Sequence, residues 1–373
     1  MQRIMFVALL LVAAANATAQ ETARRPDAYF LEHSRIFYRL PPDDLAFEGQ
    51  IAPHLFFHRS DVFGDGDVFD QPVWTWAASF TPLLRLRMLS TESHPVRTPS
   101  YMPRPFLDWQ LFRASAVDTT WDDRRYADVP VRLWGITFTP WAHHSNGQDG
   151  CLFEHQIRGP GTGECIGTLP SDSIPVTNKV DGSFSTNFIR IRAGYSWFAA
   201  PDTVGGPLQL NRRCTYEFGV EYHPIGYLMG ALSEDQAEYY SQWQVTLGME
   251  WSAPWKGQWI VGADARWLND PAPGVDNWAY DAEVSWLPEF LSGWGGFVRY
   301  YSGMDYYNLG FMEEISYLQF GFTWDLGAVP RILFPERRNP MVDTAPPYRR
   351  NALLDRTLPA LFDGVCRRLH GIS

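Results

Sequence analysis

Apolar and polar positions alternate along most of this chain. Tyr216, Phe218, Val220 and Tyr222 take turns with Thr215, Glu217, Gly219 and Glu221, and Trp243, Val245, Leu247, Met249 and Trp251 with Gln242, Gln244, Thr246, Gly248 and Glu250. The same holds for Tyr280, Ala282, Val284 and Trp286 against Asp281, Glu283 and Ser285. A period of two belongs to a β-strand, whose successive side chains point to opposite faces. The pattern predicts about twelve strands, near residues 35–41, 51–59, 72–88, 103–116, 130–145, 186–198, 214–224, 239–252, 258–268, 277–287, 294–303 and 315–326. Many reach ten or more residues, longer than the usual soluble strand and about the length of a tilted membrane crossing.

Two kinds of sheet show one apolar and one charged face. A soluble sandwich buries the apolar face between sheets, whereas a membrane barrel turns it to lipid and keeps the charged face inside. Strand length favours the barrel, and the N-terminus directs export. That terminus reads Arg3, an apolar run from Ile4 to Ala15, then Ala17-Thr18-Ala19, which is a secretory signal cleaved after Ala19. No later segment has the 18 apolar residues of a membrane helix, so any span must be made of strands. Composition agrees: 16 Trp, 17 Tyr and 24 Phe in 373 residues coexist with a mean hydropathy of -0.25. That combination follows when alternate residues face lipid and lumen while aromatics collect at the interfaces. The formal net charge of -11 argues against a nucleic-acid partner, which would want a basic face.

The expected class is therefore all-β, a transmembrane antiparallel barrel in the bacterial outer membrane. Its parts are a signal peptide (1–19), a periplasmic N-terminal segment (20–34), the barrel (35–328) and a periplasmic tail (329–373). With both ends periplasmic, residues 253–258 and 288–294 hold short periplasmic turns, while 89–102, 146–185, 225–238 and 304–314 face outward.

Chemistry concentrates at the outer end of the fifth strand, in FTPWAHHSNGQDGC. His143 and Ser145 are two residues apart, so they share a face and the imidazole can take the serine proton. On the next strand Asn187 is in register with Ile189, Ile191, Ala193, Tyr195 and Trp197, whereas Arg190 and Arg192 point the other way. Asn187 thus belongs to the lipid-facing set and can orient the ring. An ionised third group on that wall would cost free energy; an amide avoids the penalty. One conflict has to be resolved. Trp134, Ile136 and Phe138 face lipid at even positions, yet His143 and Ser145 are odd. Pro140 lacks the N–H of a regular ladder, so a β-bulge is expected near Thr139 and Pro140, carrying Trp141, His143 and Ser145 outward. His144 then faces solvent or lumen, and Arg190, Arg192, Glu217, Glu250, Asp281 and Glu283 form a lumen charge network.

These residues resemble the outer-membrane phospholipase A family of Gram-negative bacteria. The resemblance lies in HHSNG as its His-x-Ser-Asn-Gly motif, SFSTN as its Ser-x-x-x-Asn motif, VRYYSGMDYYN as its Tyr-Ser-Gly segment and SHPVRTPSYMP as its Ser-x-Pro-x-Arg stretch. It implies a calcium-dependent homodimer that hydrolyses acyl esters of phospholipids and lysophospholipids. Ser145 would be the nucleophile, His143 the base, Asn187 its orienter and the Gly147 N–H an oxyanion donor. Calcium would match the Gln148 carbonyl, the Ser183 hydroxyl and, from the partner's loop, the position of Ser93. The chain departs from the family in an inserted loop from about Gly150 to Gly182, in Gln148 where the family has arginine, and in His94 near the loop serine. A noncatalytic barrel, acting as a small pore or binding protein, is the competing class.

The cysteines suit an oxidising compartment. Cys151 and Cys165 are expected to bridge the inserted loop, and Cys214 and Cys366, both periplasmic by topology, to pair with each other; free buried thiols are the alternative.

Overall fold

A computed structural model describes residues 32–40, 45–59, 73–90, 96–114, 129–161, 163–167, 173–200, 212–226, 232–288, 291 and 294–324. All belong to the compact unit Met1–Pro330. The signal peptide and most of the N-terminal segment, the C-terminal tail, Ser93, His94 and Cys366 lie outside the described residues.

The strands are β1 (Ser34–Leu40), β2 (Leu45–Ile51), β3 (Leu55–Arg59), β4 (Val73–Leu89), β5 (Ser100–Ala114), β6 (Val129–Ser145), β7 (Ile157–Arg158), β8 (Cys165–Ile166), β9 (Ser185–Ala200), β10 (Arg212–Tyr222), β11 (Trp243–Pro254), β12 (Gln258–Leu268), β13 (Trp278–Leu287), β14 (Trp294–Met304) and β15 (Glu314–Trp324). Apart from the small β7–β8 hairpin, they form one antiparallel sheet, closed where β1 pairs with both β2 and β15. β2 and β3 run along successive parts of β4, with Ile51 opposite Leu84 and Leu55 opposite Phe80. They are one barrel strand broken at Ala52–His54, where Pro53 has no N–H to donate. The molecule is thus a closed barrel of twelve strands, and among the described residues no helix is long and apolar enough to cross a membrane.

Alternation decides which side chains face out. On β15, Leu318, Phe320 and Phe322 are exposed while Ile315, Gln319 and Thr323 are buried. The interior carries paired charge. Arg35 meets Glu283 at 2.7 Å, Arg299 meets Asp281 at 2.7 Å and Arg192 meets Glu217 at 3.5 Å. Arg190 pairs with Glu221, and Arg213 with Glu250. The expected lumen charge network is present. Such pairs are tolerated inside because each charge has a partner; they are not by themselves a source of stability.

The end of the barrel nearest Ser145 is closed over by an apolar core built from its connections. Phe184, Tyr240 and Phe311 form a ring triangle with centroids 5.4–5.7 Å apart, joined by Leu152, Phe153 and Leu232. Each fully buried side chain of this size stabilises by about 1.5–3 kcal/mol. A single-turn helix α1 (Glu234–Ala237) belongs to this cap. Its N-cap Ser233 and its Gln236 form a reciprocal capping box.

In the inserted loop Cys151 and Cys165 are bonded, 14 residues apart. Cys214 is buried. A closed loop of this length contributes about 3 kcal/mol in the chain-entropy model. Cys151→Ser with Cys165→Ser is therefore expected to admit protease within 151–165 while the barrel stays resistant. Peptide mapping after limited digestion checks this; equal protection with and without the bridge would refute it.

Candidate active site

The ladder between β6 and β9 is regular from Val129↔Ala200 to Thr139↔Arg190 and resumes at Ala142↔Phe188. Two residues, Pro140 and Trp141, thus oppose the single residue Ile189. This one-residue bulge sits at the proline, and it inverts the parity of the strand. Before it, Thr137 and Thr139 are buried and Ile136 is exposed; after it, Ala142, His144 and Asn146 are buried and Trp141, His143 and Ser145 lie on the outer face.

Beyond the bulge His143 stands opposite Asn187, and Ser145 opposite Ser185 on one side and Tyr101 on the other. The His143 Nδ1 is 2.8 Å from the Asn187 Oδ1. An amide oxygen only accepts, so Nδ1 carries the proton and Nε2 is left with its lone pair. Asn187 itself is 0% exposed although its register places it with the outward Ile191. Burial of this kind holds an amide to its partner. Among the described residues the Ser145 hydroxyl makes no hydrogen bond; bonds of this type often tighten only when substrate is present.

Gly147 follows with φ +68°, a conformation that disfavours any side chain. It is exposed, and its N–H has no acceptor among the described residues. Asn146, turned inward, organises this segment: its Nδ2 donates to the Gly182 carbonyl at 2.6 Å and its Oδ1 accepts from the N–H of Phe184 at 3.0 Å and of Gln148 at 3.3 Å. The Ser183 N–H donates to the Gly150 carbonyl at 2.9 Å. These bonds draw the two ends of the inserted loop together, so its length does not separate Ser145 from Asn187.

Three residues that the motif logic left unassigned also border the site. Tyr101 is 45% exposed, and its ring lies 3.6 Å from where a Cβ on Gly147 would stand. The Trp141 ring stacks on that of His143, and Asn146 clamps the loop as described. Only register reveals Tyr101. Trp141 follows from the bulge, and Asn146 could have been suspected as a buried amide at a strand end. His144 points inward, with its Nε2 3.3 Å from the Ser100 Oγ, and has no part in the outer constellation. The Tyr-Ser-Gly segment serves the backbone: Gly303 has φ +135°, and a Cβ there would come within 2.4 Å of Ala279.

Calcium takes hard oxygen donors, and the fragment Gln148–Gly150 facing Asp181–Ser183 offers carbonyls, a hydroxyl and two exposed carboxylates, Asp149 and Asp181. Their chemistry fits that cation. No group of three or more His, Cys, Asp or Glu side chains placed to hold a metal occurs among the described residues.

Fold and site together define an outer-membrane-type barrel with a His–Asn pair and an adjacent serine on its outer wall. Among solved structures the chain is similar to outer membrane phospholipase A from Escherichia coli, with 12% identity over 79% of this chain and 96% of that one and a TM-score of 0.42. It is also similar to the Salmonella typhi outer membrane phospholipase dimer with bound calcium, with 12% identity, coverage of 84% and 98%, and a TM-score of 0.42. A porin mutant of Rh. blastica matches at a TM-score of 0.24, with 10% identity over 79% of this chain and 97% of that one. These are likenesses of fold. No family model and no curated protein matches the sequence.

Proposed function

We propose that this barrel is an outer-membrane serine hydrolase that cleaves acyl ester bonds of phospholipids and lysophospholipids from its lipid-facing side. The observation that carries the reading is the 2.8 Å bond from His143 to a buried Asn187, made on the outer face with Ser145 one pleat further along. An imidazole with one nitrogen fixed and the other left to accept, on the same face as a hydroxyl two residues along, suits a base with its nucleophile.

In the first half-reaction the Ser145 Oγ–H gives its proton to His143 Nε2 as Oγ bonds to the acyl carbon. The carbonyl π pair moves to its oxygen, and the Gly147 N–H would donate to that oxyanion. Collapse breaks the ester C–O bond, and the leaving alcohol oxygen takes the proton from His143. Water, deprotonated by the same nitrogen, then releases the fatty acid and restores Ser145. The Gln148 carbonyl and Ser183 hydroxyl would hold calcium, with a further ligand from the partner of a homodimer at the loop of Ser93; bound there, the cation supplies positive charge beside the oxyanion. A site opening sideways suits a substrate that resides in the bilayer.

A pore is the less suited reading, because the described interior is crossed by ion pairs and one end carries the apolar cap.

The test is covalent trapping. Full-length protein in detergent micelles with calcium should take up one lipid-like fluorophosphonate per chain, on Ser145, and His143→Ala should block uptake. Label elsewhere, or none from protein whose barrel is intact, would refute the assignment.

A further inference from the structure

The proposed mechanism places a transient positive charge on His143 and gives it a neutral partner. An ionised third residue would stabilise that imidazolium; the Asn187 amide orients the ring and lends only a dipole. The groups around the ring do not obviously make up the difference. On the elements packed against His143, Tyr101 of β5 shares the outer face, while Arg104 of β5, His144 of β6 and Arg190 of β9 turn to the lumen. Asp149 and Asp181, in the connection beyond, are exposed.

One side chain does face the imidazole directly. The ring centroids of Trp141 and His143 are 6.1 Å apart and their planes differ by 17°, an offset stack. Two residues apart, they share a face, and the bulge at Pro140 makes it the outer one. The Trp141 Nε1–H is buried and has no hydrogen-bond partner among the described residues. A tryptophan serving as an interface anchor keeps its N–H toward water or headgroups; this one gives that bond up and lies flat beside the histidine.

We propose that Trp141 is a positioning residue for the hydrolase: its indole face holds the His143 ring against Asn187 and stabilises the imidazolium through cation–π attraction, in place of the absent carboxylate. This rests on the reading of Ser145 and His143 as nucleophile and base. Indole is the strongest aromatic partner for a cation, and the attraction is felt out to about 6 Å.

The experiment is the pH dependence of kcat/KM for a short-chain phospholipid with full-length protein in micelles. Loss of the π face disfavours the protonated ring, so the base is freed at lower pH. Trp141→Leu should move the acid limb down by about half a pH unit and lower the plateau about 2–5-fold. Trp141→Phe should restore most of both. Site-specific fluorotryptophans at 141, which keep the shape and weaken the ring field stepwise, should shift the limb stepwise and keep the inference testable if the leucine variant does not fold. An unchanged limb across the fluorinated series, or a uniform loss of rate without a shift, would overturn it. Wild-type protein inert toward phospholipid would instead overturn the hydrolase reading beneath it.

Discussion

Ser145→Ala is expected to lower fatty-acid release from phospholipid by at least about 10³-fold, the range seen when a nucleophile that works with its base is removed. Stability should change by no more than about 0.5 kcal/mol, for a reason visible in the structure. The hydroxyl makes no hydrogen bond among the described residues, so its removal leaves no orphaned donor or acceptor. Initial rates with calcium, alongside heat-dependent migration on detergent gels, read the two quantities separately. Full activity in a folded Ser145→Ala barrel would end the proposal. His143→Ala should fall to a similar floor and should not add to the serine variant, because the two act as one unit.

Arg87→Met should produce the largest loss of stability. The Arg87 guanidinium, on β4, bonds Asp305 at 2.7 and 3.0 Å and Glu48 at 2.9 Å, and the three residues are 8%, 3% and 1% exposed. It also lies 4.3 Å from the ring centroid of Tyr307. One cation thereby ties β2, β4 and the 305–313 connection together. Deleting it takes the bonded cation away from two buried carboxylates, at a cost of about 3–5 kcal/mol. Arg87→Met combined with Glu48→Gln and Asp305→Asn should recover much of the loss.

Acid titration distinguishes the cases. Burial alone would raise the Asp305 carboxyl, but the Arg87 charge and its hydrogen bond, with the Tyr307 N–H, hold it below the ordinary carboxylate value. A depressed folded value means stability that is present above the unfolded pKa of about 3.9 and is lost as pH falls through the folded one. Wild type should therefore weaken in strong acid. In Arg87→Met the Asp305 carboxyl loses the charge that holds it low and should favour protonation, so mild acid should stabilise the variant. Parallel acid curves for the two proteins would show that the triad does not carry the load assigned here.

Much of the strand plan could be read directly, since a residue's side of a barrel wall depends only on parity. The segment 258–268 was placed to the residue, as β12. The bulge could be read because one proline conflicted with one parity. Other features escaped. The second strand begins at Leu45, earlier than its alternation suggests, and is interrupted at Pro53; the ladder to β4 overrides a weak local pattern. The eighth was expected from Tyr239 and starts at Trp243, because Ser233 and Gln236 cap a helical turn and Tyr240 turns into the cap.

What the chain determined alone was the period of two, and with it the two faces, the lumen charges and the outward set containing His143, Ser145 and Asn187. Tertiary structure decided which of those residues meet. Register brings Asn187 to His143 and Tyr101 to Ser145, Asn146 draws the ends of the inserted loop together, and the ladder across the bulge holds the Trp141–His143 stack on the outer wall. Parity is a property of one strand, whereas contact is a property of neighbouring strands and the hydrogen bonds that lock them.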